Sequence, residues 1–272
     1  MPRALRILLT FASFGMFFGA GLGLVVGVLP ILFLASALDP QRHRARFTRA
    51  LGRLYPAFLF WMRLVGLIDY RLPELPPDVP RDRPYLLVAN HPTLIDVLFC
   101  LAAFPGITSL VKAAHYRSRW LFGVLLRSTL YVPGAGAEGD EGHDGEHPPV
   151  VERMVRQLEA GHSLVAFPEG TRAPPHRLTR FRRGAFEAAV RARVPIACLY
   201  IGVDHPALTK GRFLPSRRLH FRFDWLPTVD CAALPEPSSR VVRNEVFARY
   251  RAQHEAYLAS LPSSEEAAPA SG

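Results

Sequence analysis

The feature that most constrains this chain is an uncharged run of 32 residues, Ile7 to Leu38. As one helix it would extend about 48 Å, more than the roughly 30 Å hydrocarbon core of a bilayer. It can be one tilted span or a bent or re-entrant pair breaking near Pro30. Gly15, Gly19, Gly23 and Gly27 recur every four residues. That spacing predicts a small-residue stripe suited to close helix packing in lipid. Arg3 and Arg6 precede the run and Ala35-Ser36-Ala37 resembles a cleavage site. The run is about twice the usual signal-peptide core, so a retained anchor is expected. Arg42, Arg44, Arg46, Arg49 and Arg53 follow it. Such a basic flank is expected to stay cytoplasmic or to rest on anionic head groups. Leu54–Ile68, apolar except for Arg63, fits an interfacial or a core helix.

Five prolines between residues 73 and 84 mark a linker, after which the pattern changes. Tyr85–Ala89, Ser109–Val111, Leu130–Val132, Ser163–Phe167, Ile196–Ile201 and Leu219–Phe223 read as strands. Ile95–Phe104, Trp120–Arg127, Val150–Ala160, Gly184–Ala192 and Val241–Leu258 read as helices. The alternation predicts an α/β fold, a mostly parallel central sheet flanked by helices and preceded by an N-terminal membrane-associated helical segment. The expected organisation is an anchor with interfacial helix over 1–70, an α/β domain over 71–261 and a disordered tail over 262–272. Residues 135–149 form an acidic, glycine-rich loop in which His143 and His147 are weak metal candidates.

A net charge of +10 attracts anions: phosphate head groups, nucleic acid or an acidic carrier. The apolar run and missing binding motifs argue against nucleic acid. Three scattered cysteines provide neither a disulfide framework nor a CxxC metal pair. GxSxG, HExxH, Walker GxxxxGK[ST] and a GxGxxG following a strand are all absent.

Two constellations carry chemistry. In Asn90-His91-Pro92-Thr93-Leu94-Ile95-Asp96, His91 sits at the carboxyl end of a strand, where open α/β sheets place ligands. Asp96 can fold back on the imidazole, fixing its tautomer and leaving the other nitrogen as a general base. In Phe167-Pro168-Glu169-Gly170-Thr171-Arg172, also past a strand, glycine permits close backbone approach and Glu169 can accept from a hydroxyl. Arg172 offers a fork for phosphate.

Together these segments resemble the glycerophospholipid (lysophosphatidate-type) acyltransferase family. Its Asn-His-x4-Asp block is similar to Asn90, His91 and Asp96, and its Phe-Pro-Glu-Gly-Thr-Arg block to Phe167–Arg172. Lys112 and Gly123 fit its lysine after a strand and its glycine-containing helix. Phe181-Arg182-Arg183-Gly184-Ala185 and Val194-Pro195-Ile196 fit its later blocks. The resemblance implies a membrane-bound O-acyltransferase needing no metal or other cofactor. Its donor would be acyl-CoA or acyl-carrier protein, its acceptor a lysophospholipid, and membrane lipid would surround it. It implies His91 and Asp96 as catalytic residues. Lys112 and Arg172 would hold the acceptor phosphate, with Glu169, Gly170 and Thr171 shaping the same site. The setting implied is a bacterial-type inner membrane, the catalytic domain on the cytoplasmic side.

The chain departs from the family where Leu130-Tyr131-Val132-Pro133-Gly134 lacks the arginine that usually ends the second block. Asp204–Gly211 resembles a segment of bacterial members thought to serve polyene or amino-acid lipids, so a specialised acceptor stays open. A non-catalytic protein binding anionic lipid also explains the charge and the anchor, though not the two strand-end motifs.

Overall fold

A computed structural model describes residues 1–35, 40–118, 121–134, 150–174, 176–209, 211–234 and 238–261. The acidic loop 135–149 with His143 and His147, the tail 262–272, and Ser36 and Ala37 of the cleavage-like tripeptide lie outside them.

The N-terminal run forms one continuous helical rod: α1 (Arg3–Gly23), a π-helical turn (Leu24–Val28) and α2 (Leu29–Ala35). The chain does not break at Pro30. A proline ring collides with the carbonyl four residues back, and the wider turn just before it relieves that collision. Arg3–Ile31 contains an 18-residue window of mean hydropathy 2.1 and is long enough to cross a bilayer. The rod is inside-out relative to a water-soluble helix. Arg6, Thr10 and Ser13 face the protein, while Leu8, Phe11, Phe18, Leu22 and Val26 are exposed. No other part of the described chain approaches the glycine stripe: a Cβ at Gly15, Gly19, Gly23 or Gly27 would meet nothing within 4 Å.

α3 (Pro40–Gly52) and α4 (Leu54–Leu64) return along the domain. α4 buries Tyr55, Phe58, Leu59 and Met62 and leaves Phe60 and Leu64 exposed, so it is a core helix on one face only. α1 and α4 run antiparallel, with Phe17 against Phe58 at 4.6 Å and the Trp61 indole N–H donating to Ser13 Oγ at 3.0 Å.

The rest follows in order: β1 (Ile68–Asp69), β2 (Leu86–Ala89), α5 (Asp96–Ala103), β3 (Thr108–Val111), α6 (Ala113–Arg117), α7 (Leu121–Arg127), β4 (Val132–Pro133), α8 (Val150–Glu159), β5 (Leu164–Ala166), α9 (Gly184–Arg191), β6 (Pro195–Val203), β7 (Leu219–Asp230) and α10 (Ser239–Ser260). The seven strands lie in the order β1-β7-β6-β2-β5-β3-β4. Every pairing is parallel except β6 with β7. Register places Leu86 beside both Leu164 and Ile196.

Strand alternation splits the core in two. Leu86, Val88, Leu164, Ile196 and Cys198 pack under α8, α9 and α10 with Leu158, Phe186 and Tyr250. Leu87, Ala89, Val165, Ala197 and Leu199 pack on the other face with Phe58, Met62 and Phe99 from α4 and α5. This second core runs from Val25 and Phe47 through Ile68 to Phe221, so it is continuous across residue 70. Both sheet faces are covered, which is why the inner strands read as unbroken apolar runs.

Candidate active site

β2, β5 and β3 are adjacent and parallel, and their carboxyl ends present His91, the 167–172 turn and Lys112 along one sheet edge. Asn90 fixes the exit of β2. Its buried side chain donates to Ile201 O at 2.8 Å and accepts the Ile201 N–H at 2.7 Å, tying the end of β2 to β6.

His91 Nδ1 lies 2.9 Å from Asp96 Oδ2. Asp96 is wholly buried at the start of α5, where the helix N-terminus favours a negative charge. The same oxygen accepts the Thr93 N–H at 2.6 Å, and the Thr93 hydroxyl donates to Asp96 Oδ1. The carboxylate is thus held by three donors and orients the ring, leaving Nε2 as the group available to a substrate. Phe167 stacks on the imidazole at 4.4 Å and 29°. The His91 side chain keeps 20% exposure, so it is reachable.

The second motif braces the first. Glu169 is only 4% exposed. Its Oε1 accepts the His91 backbone N–H at 2.7 Å, and its Oε2 accepts from the Thr179 N–H at 2.9 Å and hydroxyl at 2.6 Å. The Ala173 N–H donates to His91 O at 2.9 Å. Gly170 takes φ 73°, a left-handed conformation that favours glycine, and a Cβ there would stand 2.7 Å from Arg182 Nε, a flexible side chain that can move aside. At Gly123 a Cβ would lie 1.9 Å from Ser118 O.

His91, Asp96, Glu169 and Gly170 therefore form one bonded unit. Lys112 and Thr171 are exposed and Arg172 is half-buried. None of these three side chains has a hydrogen bond or ion pair with a described residue. Thr93 and Thr179, the braces of the two carboxylates, were not expected from the motifs. Thr93-x-x-Asp96 has the capping-box spacing that announces such a link; nothing local announces Thr179. No cysteine is poised as a nucleophile: all three are buried free thiols, and burial pushes Cys198 up to about 12 and Cys231 to about 11.

Known proteins resemble the chain in sequence and fold. A family model described as acyltransferase matches residues 74–202. A probable 1-acyl-sn-glycerol-3-phosphate acyltransferase of Mycoplasma pneumoniae is 29% identical over 133 residues, covering 46% of this chain and about half, 47%, of that protein. The lyso-ornithine lipid O-acyltransferase of Pseudomonas aeruginosa is 32% identical over 266 residues, covering 89% of this chain and 94% of its own. The crystal structure of the 1-acyl-sn-glycerophosphate (LPA) acyltransferase PlsC from Thermotoga maritima superposes with a TM-score of 0.68. At 20% identity, covering 97% of this chain and all of that one, it shares the fold. With the family's blocks in order around one sheet edge and a relative alike along nearly its whole length, the chain belongs to the acyltransferase family.

Proposed function

We propose that the protein is a membrane-associated O-acyltransferase that moves a fatty acyl group from a thioester to the hydroxyl of a lyso-lipid. The observation that carries this reading is the buried Asp96 holding an accessible His91 at the carboxyl end of β2. His91 Nε2 takes the proton of the acceptor hydroxyl while Asp96 stabilises the imidazolium. The freed oxygen attacks the thioester carbonyl, and backbone N–H groups near the strand ends meet the oxyanion. Collapse expels the thiolate, and the imidazolium returns the proton to it. Acyl-CoA or acyl-carrier protein supplies the thioester. Lys112 and Arg172 hold the acceptor's phosphate, with Thr171 and Gly170 beside it and Glu169 setting the backbone of His91.

A second acceptor is favoured by one comparison: the relative aligned over 89% of the chain is named for a lyso-ornithine lipid. The second block's missing arginine agrees with an acceptor that carries no glycerophosphate. Purified protein given one labelled acyl donor should acylate lysophosphatidate or lyso-ornithine lipid. Transfer to neither, from either acyl-CoA or acyl-carrier protein, would refute the reading.

Lys112→Arg is expected to raise the acceptor KM about fivefold or more and leave the donor KM nearly unchanged. A guanidinium is a broad plane where an ammonium is a compact point charge. Varying each substrate in turn decides this, and a shift confined to the donor removes Lys112 from the acceptor site.

The outward apolar face of the N-terminal rod supports membrane association, with the catalytic edge on the cytoplasmic side of a bacterial-type inner membrane. Replacing Leu8, Leu22 and Val26 together with serine should weaken vesicle flotation at least about tenfold. Unchanged flotation would assign binding to another surface.

A further inference from the structure

Residues 204–218, which connect β6 to β7, have no part in the chemistry above. Ala207, Leu208 and Thr209 are buried, and Leu208 takes φ 59°, a left-handed conformation costly for leucine. The Leu208 carbonyl accepts the Leu94 N–H at 2.8 Å. Leu94 lies in the turn that carries Asp96 to His91, and Ala207 and Leu208 share a core with Ile95 and Leu98. The connection therefore props the catalytic turn.

One side chain closes the connection at both ends. His205 Nδ1 accepts the Ala207 N–H at 3.1 Å. That fixes the proton on Nε2, which donates to Ser216 Oγ at 2.7 Å. Between these bonds, Phe213 packs on Phe14 of α1 at 5.1 Å.

We propose that His205 is a positioning residue for acyl transfer: as a neutral imidazole it locks the β6–β7 connection and, through the Leu208 carbonyl, holds Leu94 and the turn that brings Asp96 to His91. The inference rests on His91 and Asp96 being the catalytic pair. Protonation places an N–H on Nδ1 pointing at the Ala207 N–H, so two donors face each other and the lock opens. The groups facing His205 are Arg217, Arg212 and His176, which oppose its charge, and Asp204, which favours it. Asp204 is itself engaged by His220 at 2.9 Å and Arg217 at 3.3 Å. Burial, ahead of all these charges, holds His205 below the ordinary histidine range. The neutral form therefore persists at neutral pH, and the lock is lost as pH falls through a value under about 6.5.

The test uses the full chain in mixed micelles, with kcat and both KM values measured from pH 5 to 8.5. In the wild type, kcat should fall about tenfold further between pH 8 and pH 5 than in a variant whose lock does not titrate, the scale of losing the lock. His205→Asn retains an acceptor for the Ala207 N–H and does not titrate. It should lack that extra tenfold fall, at some cost in kcat from the lost Ser216 bond. His205→Ala should lose about tenfold in kcat at every pH with the donor KM unchanged. Should that variant not fold, amide deuterium uptake in the wild type and His205→Asn decides. After correction for intrinsic rates, residues 92–97 and 204–209 should open at pH 5.5 relative to pH 8 in the wild type only. A fall as large in His205→Asn as in the wild type, full kcat in His205→Ala, or equal uptake in the two proteins would overturn the proposal alone. Full turnover in His91→Ala would overturn the catalytic pair and this inference with it.

Discussion

His91→Ala is expected to lose at least about a hundredfold in turnover, the scale of removing a general base. The fold should be kept, because among the described residues the imidazole makes one side-chain hydrogen bond, to Asp96, and one stacking contact, with Phe167. Asp96→Asn should lose about tenfold to a hundredfold for a different reason. Asp96 Oδ2 accepts from both the imidazole and the Thr93 N–H, and Oδ1 accepts from the Thr93 hydroxyl. An amide turned with its NH2 towards the Thr93 hydroxyl can keep these contacts, because that hydroxyl can accept instead, but it is neutral and cannot stabilise an imidazolium. Single-turnover rates with both lipids at saturation, alongside thermal melts, separate chemistry from folding. Near-wild-type rates in both variants would remove the pair from the mechanism.

The second large effect is expected at Glu169, and the informative substitution is the isosteric one. Glu169→Gln should be nearly as damaging as Glu169→Ala, because both carboxylate oxygens accept backbone N–H groups, from His91 and from Thr179. Whichever way a glutamine amide turns, its NH2 meets a backbone donor in a nearly dry site. Hydrogen bonds to a buried charge contribute about 1.5–3 kcal/mol each, so a loss near 3 kcal/mol of stability is expected. With the backbone of His91 released, kcat should fall about tenfold or more. Urea unfolding and steady-state kinetics on the same preparations test this. A glutamine variant with wild-type stability would show that the carboxylate is not the brace between the motifs.

Much of the architecture is legible in the chain because the inner strands are buried on both faces. Leu86–Ala89, Leu164–Ala166 and Pro195–Val203 need apolar residues at every position, and such runs are visible without a structure. β1 is not legible: it is two residues long and becomes a strand only through its partner, Ile68–Asp69 against Leu219–His220. β4 is legible in place but not in extent, since the expected Leu130–Val132 run pairs only at Val132–Pro133, against Leu110–Val111. Ile68 instead closes the apolar stretch that reads as a helix from Leu54, and α4 ends at Leu64. The antiparallel β6–β7 pair also runs beyond its expected end at Phe223, to Asp230, because the polar residues Arg222 and Asp224 interrupt the apolar pattern at a partly exposed strand.

At the candidate site, the motif residues are legible and their supports are not. His91 and Asp96 announce themselves by spacing and by the strand before them. Glu169 reads as a group for a substrate hydroxyl, whereas its oxygens are engaged by His91 and Thr179. That difference is tertiary: the bond partners lie 78 and 10 residues away. The side chains of Lys112, Thr171 and Arg172 have no hydrogen bond or ion pair among the described residues.

The link from Glu169 to the His91 backbone also sets an order of events during synthesis. A ribosome releases the apolar rod long before β5, so a nascent chain can engage lipid while its catalytic turn is still unformed. Until Thr179 has emerged, Glu169 lacks its second set of donors. The growing polypeptide therefore presents its apolar rod before its two motifs can be joined.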